Sequence, residues 1–192
     1  MPYRKVIIGL GSGRCGTMSL QRLLNSQGNS KVTHENLPIP WDNEPDVAEQ
    51  RIEELLELDA DIIGDVGYYW LNHVERMLQA ASNTKFICLK RKRQEVIESM
   101  WAFSRGLNVH PIKEWYRMYP RYDTDRKTAI GLMWDDYYII SERLQEKHPG
   151  QFRIWDTDAL NSKTGVEAIL DFVEIPKENQ VVQVGIKLNK RI

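Results

Sequence analysis

A glycine-rich segment near the start of the chain constrains its fold more than any other feature. The apolar run Val6–Leu10 leads into Gly11-Ser-Gly-Arg-Cys-Gly16, and a segment with helical apolar periodicity follows from Thr17. This order predicts a strand, a tight loop and a helix. Glycines let the backbone approach a bound anion closely, and the N–H groups at the start of a helix point towards it. The segment therefore predicts a cradle for a phosphate or sulfate group.

Known nucleotide-binding patterns fit this loop only in part. Gly11–Gly16 satisfies the dinucleotide pattern G-x-G-x-x-G, and Glu35 lies near the distance of a ribose-binding acid, so a dinucleotide site stays open. The glycine spacing also fits an ATP-binding or GTP-binding P-loop, but Thr17 stands where that pattern requires lysine. An ordinary ATP or GTP site is therefore disfavoured. A cysteine phosphatase loop is disfavoured as well, because no nearby histidine can activate Cys15.

Two segments supply the positive charge that an anion site needs. Arg14 lies inside the glycine loop, and arginine presents a planar fork of donors to phosphate or sulfate oxygens. Lys90-Arg-Lys-Arg93 follows a strongly apolar predicted strand, and Ser99 comes two turns into the next predicted helix. Because ligands bind at the carboxyl ends of parallel strands, Arg91 and Ser99 are predicted to reach one phosphate on the same side as the loop.

Segments of two types alternate along the chain. Strand-like apolar runs at 4–10, 31–34, 60–65, 85–90 and 152–155 are separated by segments with helical periodicity. This alternation predicts a three-layer α/β/α fold, similar to that of P-loop NTPases, with a mainly parallel central sheet of about five strands. No linker or repeat interrupts the 192 residues, so we expect one domain over 1–192.

Composition disfavours several classes of function. The formal net charge is −1, so no overall basic surface indicates nucleic-acid binding. Two cysteines and four scattered histidines suggest neither a disulfide framework nor a metal-ligand cluster. The first apolar run is too short for a signal peptide, and no segment is long enough to span a membrane. We expect a soluble, cytoplasmic protein with no metal, no nucleic-acid partner and no membrane span.

Taken together, these segments resemble the sulfotransferases that use 3′-phosphoadenosine 5′-phosphosulfate (PAPS). Their loop for the 5′-phosphosulfate group resembles Gly11–Leu20, and their 3′-phosphate motif resembles Leu89-Lys-Arg91 through Ser99. A third segment, Asp156–Leu160 before the last predicted helix, is similar to the segment that closes the core of that family. The resemblance covers most of the chain. It implies transfer of a sulfuryl group from PAPS to a hydroxyl or amine acceptor.

The resemblance also implies a role for each matching residue. Arg14 would contact the transferred sulfuryl group, and the Thr17 hydroxyl and the loop N–H groups would hold the 5′-phosphate. Arg91 and Ser99 would hold the 3′-phosphate, which distinguishes PAPS from ATP. The implied nucleotide-binding residues are Gly11, Ser12, Gly13, Arg14, Cys15, Gly16, Thr17, Met18, Arg91 and Ser99.

A general base must take the proton of the acceptor, and in this family it often follows the second or third strand. Glu35 is the first candidate here, His34 the second and Asp65 the third. The acceptor is expected to be a small molecule or a glycan, and the segments 36–45 and 101–122 are expected to line its side of the site. The family chemistry requires no metal.

Three other interpretations stay open. A nucleotide-dependent kinase is disfavoured by Thr17, and a dinucleotide-binding module leaves Arg91 and Ser99 without a role. A catalytically inactive sulfotransferase fold that only binds nucleotide is the third. The sequence does not indicate an oligomeric state.

Overall fold

The computed structural model describes residues 4–36, 39, 45–105, 120 and 122–185. The strands of its central sheet are β1 (Lys5–Leu10), β2 (Ser30–His34), β3 (Ile62–Val66), β4 (Lys85–Lys90) and β5 (Phe152–Asp156). The described α-helices are α1 (Thr17–Asn25), α2 (Pro45–Leu56), α3 (Val74–Ala80), α4 (Arg93–Arg105), α5 (Arg126–Lys147) and α6 (Lys163–Phe172). Short 3₁₀ helices cover Tyr68–His73, Thr157–Asn161 and Lys177–Asn179. The predicted α/β class is confirmed.

The sheet has the strand order β2-β3-β1-β4-β5, and every neighbouring pair is parallel. β1 therefore lies in the middle, with Gly9 opposite Val66 of β3 and Leu10 opposite Cys88 of β4. All five strands end at one edge of the sheet. The loop after β1 is consequently flanked by the segments that follow β3 and β4, as ligand-binding loops are in open parallel sheets.

Helices cover both faces of the sheet, which explains why the central residues of its inner strands are apolar, apart from Asp65 of β3. Ile7 and Ile87 pack on one face with residues of α1 and α6. Ile8 and Phe86 pack on the opposite face with residues of α2, α3 and α5. Helix α4 lies against α5, where Ile97 is one of four buried apolar residues at the contact. The layers agree with the predicted three-layer arrangement.

Two helix starts show how local sequence sets the element boundaries. Ser162 caps α6, because its hydroxyl accepts a hydrogen bond from the Gly165 N–H. The helical segment after β3 begins as the 3₁₀ helix Tyr68–His73 before it continues as α3. The side chains of Tyr69 and Trp70 in that 3₁₀ helix both donate to Asp65, which holds the turn against the end of β3.

The segments expected to line the acceptor side fall partly outside the described residues. These undescribed positions are 37–38, 40–44, 106–119 and 121. Within the described ranges, no helix combines the length and apolar character required to cross a membrane.

Candidate functional site

The loop that follows β1 has a backbone conformation that favours glycine. A Cβ atom on Gly11 would lie 2.2 Å from the Cys15 sulfur and 3.0 Å from the Leu89 carbonyl oxygen, so glycine is required there. Gly16, immediately before α1, has a φ of 90°, in the left-handed region. Arg14 also has a positive φ, 55°, which is uncommon for a residue with a side chain. Strained backbone of this kind concentrates at functional sites.

Two buried tyrosine hydroxyls of α5 hold this loop by hydrogen bonds. Tyr137 accepts a hydrogen bond from the Gly11 N–H at 3.0 Å and donates one to the Tyr68 carbonyl at 3.0 Å. The Tyr138 hydroxyl donates to the Leu89 carbonyl at 2.7 Å. Tyr137 and Tyr138 are 1% and 2% exposed, so their hydroxyls replace water as partners of the loop and strand ends.

Tyr138 also contacts Ser12 inside the loop, with 3.3 Å between the two hydroxyl oxygens. It therefore joins the glycine loop to the last residues of β4, directly before Arg91. Sequence analysis assigned these tyrosines no role in the site. The available signal was a pair of adjacent phenols in a buried stripe, since buried tyrosine hydroxyls require partners.

Three of the predicted ligand-binding side chains come together at the mouth of the loop. Arg14 Nε donates to Ser99 Oγ at 3.2 Å, and Arg91 Nη1 donates to the Arg14 carbonyl at 3.2 Å. Arg91 is also paired with Glu95, at 2.8 Å between Nε and Oε2. Burial lowers the pKa of Arg14, and the nearby charge of Arg91 lowers it further. The structure thus places two like charges beside the glycine loop.

Cys15 faces the interior of the loop. Its side chain is fully buried, and burial raises the pKa of its thiol to about 12. The thiol is therefore protonated near neutral pH and unsuited to act as a nucleophile. The backbone of Cys15 is anchored instead, since its carbonyl accepts a hydrogen bond from Thr157 Oγ1 at 2.9 Å.

The first turn of α1 carries Thr17 and Met18. Thr17 is only 8% exposed, and its hydroxyl oxygen lies 3.0 Å from Nε2 of His34 at the end of β2. Met18 is 40% exposed and faces outward. Gly16 at the N-cap supplies no side-chain hydrogen bond to the helix start.

Glu35 follows His34 at the same edge of the sheet. Its φ of 47° is left-handed, and its N–H donates to the Val66 carbonyl at 3.0 Å, which continues the pairing of β2 with β3. The residue keeps solvent access. Desolvation by the surrounding protein nevertheless raises the pKa of its carboxyl group, the nearby His34 partly offsets this shift, and Asp65 adds to it.

Asp65, the third candidate for the base, lies at a different depth. It is fully buried, and its carboxylate accepts hydrogen bonds from Thr33 Oγ1 at 2.6 Å, Trp70 Nε1 at 2.8 Å and the Tyr69 hydroxyl. The geometry makes Asp65 the centre of a buried polar network that joins β2, β3 and the following 3₁₀ helix. Among the described residues, no group of three or more His, Cys, Asp or Glu is arranged to hold a metal ion.

No protein-family model and no curated protein matches this sequence. Solved structures share its fold. A sulfotransferase from Alicyclobacillus acidocaldarius superposes with a TM-score of 0.56 and 12% identity, over 96% of this chain and 87% of that one. A mouse sulfotransferase (SULT7A1) complexed with PAP gives a TM-score of 0.60 and 14% identity, over 90% of this chain and 60% of that one.

A shikimate kinase from Bacteroides thetaiotaomicron is similar as well, with a TM-score of 0.53 and 10% identity, over 89% of this chain and 99% of that one. Identities this low show the fold alone. The chain therefore has an α/β fold that sulfotransferases share with a kinase, and the site residues must decide between these chemistries.

Proposed function

We propose that this chain is a PAPS-dependent sulfotransferase that transfers a sulfuryl group to a hydroxyl or amine of a small molecule or glycan. The observation that carries the proposal is the pair of guanidinium groups at the mouth of the glycine loop. Arg91 Nη1 lies 3.2 Å from the Arg14 carbonyl oxygen, and the charge of Arg91 adds to burial in lowering the pKa of Arg14. Their repulsion is relieved when an anion lies beside both, and a nucleotide with phosphates at two separate positions meets that requirement.

The position of each arginine fits one end of such a nucleotide. Arg14 lies within the loop, next to the N-terminus of α1, where a 5′-phosphate would accept backbone hydrogen bonds. Arg91 comes directly after β4, on the neighbouring strand of the sheet, and would hold a 3′-phosphate together with Ser99. Thr17 stands in the place of the P-loop lysine and is hydrogen bonded to His34, so the site lacks the cation that kinases use at this point.

PAPS would supply the activated sulfuryl group, and the side chains of the site would orient the nucleotide and neutralise its negative charges. Arg14 would stabilise the charge that develops on the transferred group and its leaving oxygen. Glu35 is proposed as the general base, because its raised pKa makes it a better proton acceptor than an ordinary surface carboxylate. It also retains solvent access, whereas the carboxylate of Asp65 is enclosed by its three donors.

Calorimetric titration tests this proposal directly. The ligands are adenosine 3′,5′-bisphosphate (PAP, the nucleotide left after sulfuryl transfer), AMP, ATP and NAD. The proposal expects PAP to bind more tightly than AMP, ATP or NAD. Binding of NAD or ATP without binding of PAP would overturn it.

The variant Arg91→Ala tests the 3′-phosphate contact. A charged hydrogen bond contributes about 1.5–3 kcal/mol, so PAP affinity should fall about 10- to 100-fold while AMP affinity changes less than about 3-fold. Arg93→Ala is the matched control, because Arg93 belongs to the same basic segment but is paired with Asp135 on the surface. Equal losses of PAP and AMP affinity in Arg91→Ala would contradict the 3′-phosphate role.

A nucleotide-dependent kinase is the second candidate, favoured by the similarity to shikimate kinase over nearly the whole of that chain. The two candidates differ in the titration, because a kinase requires ATP and has no use for a 3′-phosphate. Tight ATP binding that depends on Mg²⁺, together with absent PAP binding, would favour the kinase.

A further inference from the structure

His34 and Thr17 form a contact that the proposed chemistry does not require. Thr17 is the first residue of α1, and its hydroxyl lies among the groups proposed to hold a 5′-phosphate. His34 ends β2, and its Nε2 lies 3.0 Å from Thr17 Oγ1. The contact brings together the edge strand of the sheet and the proposed phosphate site.

We propose that His34 is a positioning residue that sets the direction of the Thr17 hydroxyl proton and thereby the affinity of the loop for a 5′-phosphate. The inference rests on the proposed function. It assigns His34 a task different from that of the general base.

The argument follows from the single proton of a hydroxyl group. If His34 Nε2 is unprotonated, it accepts the Thr17 proton, which then points away from the loop. If Nε2 carries a hydrogen, it donates to Thr17 Oγ1, and the hydroxyl proton is free to point at a bound phosphate oxygen. A phosphate oxygen near Thr17 accepts hydrogen bonds only, so its binding selects the state in which His34 is the donor.

This arrangement separates the two neighbouring candidates for the base. In the ligand-bound state, the Nε2 atom of His34 holds a hydrogen and faces Thr17, so it cannot take a proton from an acceptor. Only Nδ1 of His34 could then accept a proton, and Glu35, the next residue, remains the proposed base.

Binding measurements on four variants test the inference. His34→Phe removes the donor, and His34→Gln keeps an N–H that can reach Thr17. The other two variants are Thr17→Val and the double variant with His34→Phe. In His34→Phe the Thr17 hydroxyl loses the donor that leaves its proton directed at the phosphate, so PAP affinity should fall about 3- to 10-fold, whereas it should stay within about 2-fold in His34→Gln.

The double variant gives the decisive comparison. If His34 acts through Thr17, the double variant binds PAP no more weakly than Thr17→Val alone, because the hydroxyl that His34 orients is already absent. Additive losses would overturn the inference, as would unchanged PAP affinity in His34→Phe. A wild-type protein that fails to bind PAP would overturn the proposed function and, with it, this inference. If the wild type binds PAP, additive losses or unchanged affinity in His34→Phe overturn the inference alone.

Nitrogen-15 NMR of the imidazole groups provides a signature that a structural role would not produce. The chain has four histidines, and the signals of His34 are those that disappear in His34→Gln. Saturation with PAP should shift the Nε2 signal of His34 to the protonated position. An Nε2 that remains unprotonated in the PAP complex would refute the proposed role.

Discussion

The tyrosine hydroxyl beneath the glycine loop gives a prediction whose size follows from the structure. Tyr137→Phe removes one oxygen atom from a site that is 1% exposed. That oxygen is the acceptor for the Gly11 N–H and the donor to the Tyr68 carbonyl, each at 3.0 Å. The substitution keeps the ring and its packing, so the change is confined to these hydrogen bonds.

The expected cost is large for the loss of one atom. A buried backbone group that loses a hydrogen bond costs about 1–3 kcal/mol, and the Gly11 N–H and the Tyr68 carbonyl each lose the one made with Tyr137. Removing a buried hydroxyl recovers part of this cost, so we expect the free energy of unfolding to fall by about 2–4 kcal/mol. For a chain of 192 residues, this corresponds to a decrease in Tm of about 5–12 °C.

Scanning calorimetry measures the Tm, and amide hydrogen exchange reports on the loop. The Gly11 amide should exchange faster in Tyr137→Phe, whereas amides in the middle of β4 should keep their relative protection. Tyr122→Phe is the matched control, since it removes a hydroxyl that donates to Asp136 at the surface and should cost less than about 1 kcal/mol. If both variants lose the same stability, the reasoning about the loop anchor is refuted.

Four further predictions concern the candidate site. Glu35→Gln should reduce kcat by at least about 100-fold and leave the Kd for PAP within about 2-fold, measured by turnover and calorimetry. Folding raises the pKa of Glu35, so its protonated form contributes stability at low pH, and this contribution is lost as the pH rises through the folded pKa. At pH 8 the folded wild-type protein holds a desolvated carboxylate, whereas Glu35→Gln stays neutral. Glu35→Gln should therefore raise the Tm at pH 8 and not at pH 4. Asp65→Asn should lose about 2–4 kcal/mol in urea unfolding, because an amide N–H₂ then faces a hydrogen-bond donor, whereas the exposed Asp61→Asn should lose less than about 0.5 kcal/mol. Gly16→Ala should lose about 1–2 kcal/mol in the same assay because of the φ of 90°, and Gly150→Ala, where an added Cβ meets nothing within 4 Å, should not.

The buried strands could be predicted because each contains a continuous run of apolar residues. Val6–Leu10 is apolar at every non-glycine position, and β1 is covered by helices on both faces. The loop could be predicted because its glycines lie close together in the sequence: Gly16 meets a requirement of its own backbone, and Gly11 makes room for Cys15 four residues later. Such local requirements leave a signal that does not depend on distant parts of the chain.

Contacts between side chains distant in the sequence could not be predicted. That Arg91 and Ser99 reach one phosphate stays a prediction. The sequence does not indicate the partners that the structure shows, which are Arg14 for Ser99, and Glu95 and the Arg14 carbonyl for Arg91. Sequence spacing places such side chains near each other, and only tertiary packing sets their partners. Asp65 illustrates the same limit, since a carboxylate at a strand end reads identically whether it is solvated or enclosed by donors.

The tyrosine anchors also bear on the order in which the protein becomes competent during synthesis. The hydrogen bond between Gly11 and Tyr137 joins residues 126 positions apart. A ribosome therefore releases the glycine loop long before the helix that fixes it, and the loop must wait for most of the sheet to assemble. Nascent chains that end before α5 should not be retained on an immobilised nucleotide, whereas longer ones should be. Retention on the nucleotide would then report the chain length at which α5 has joined the fold.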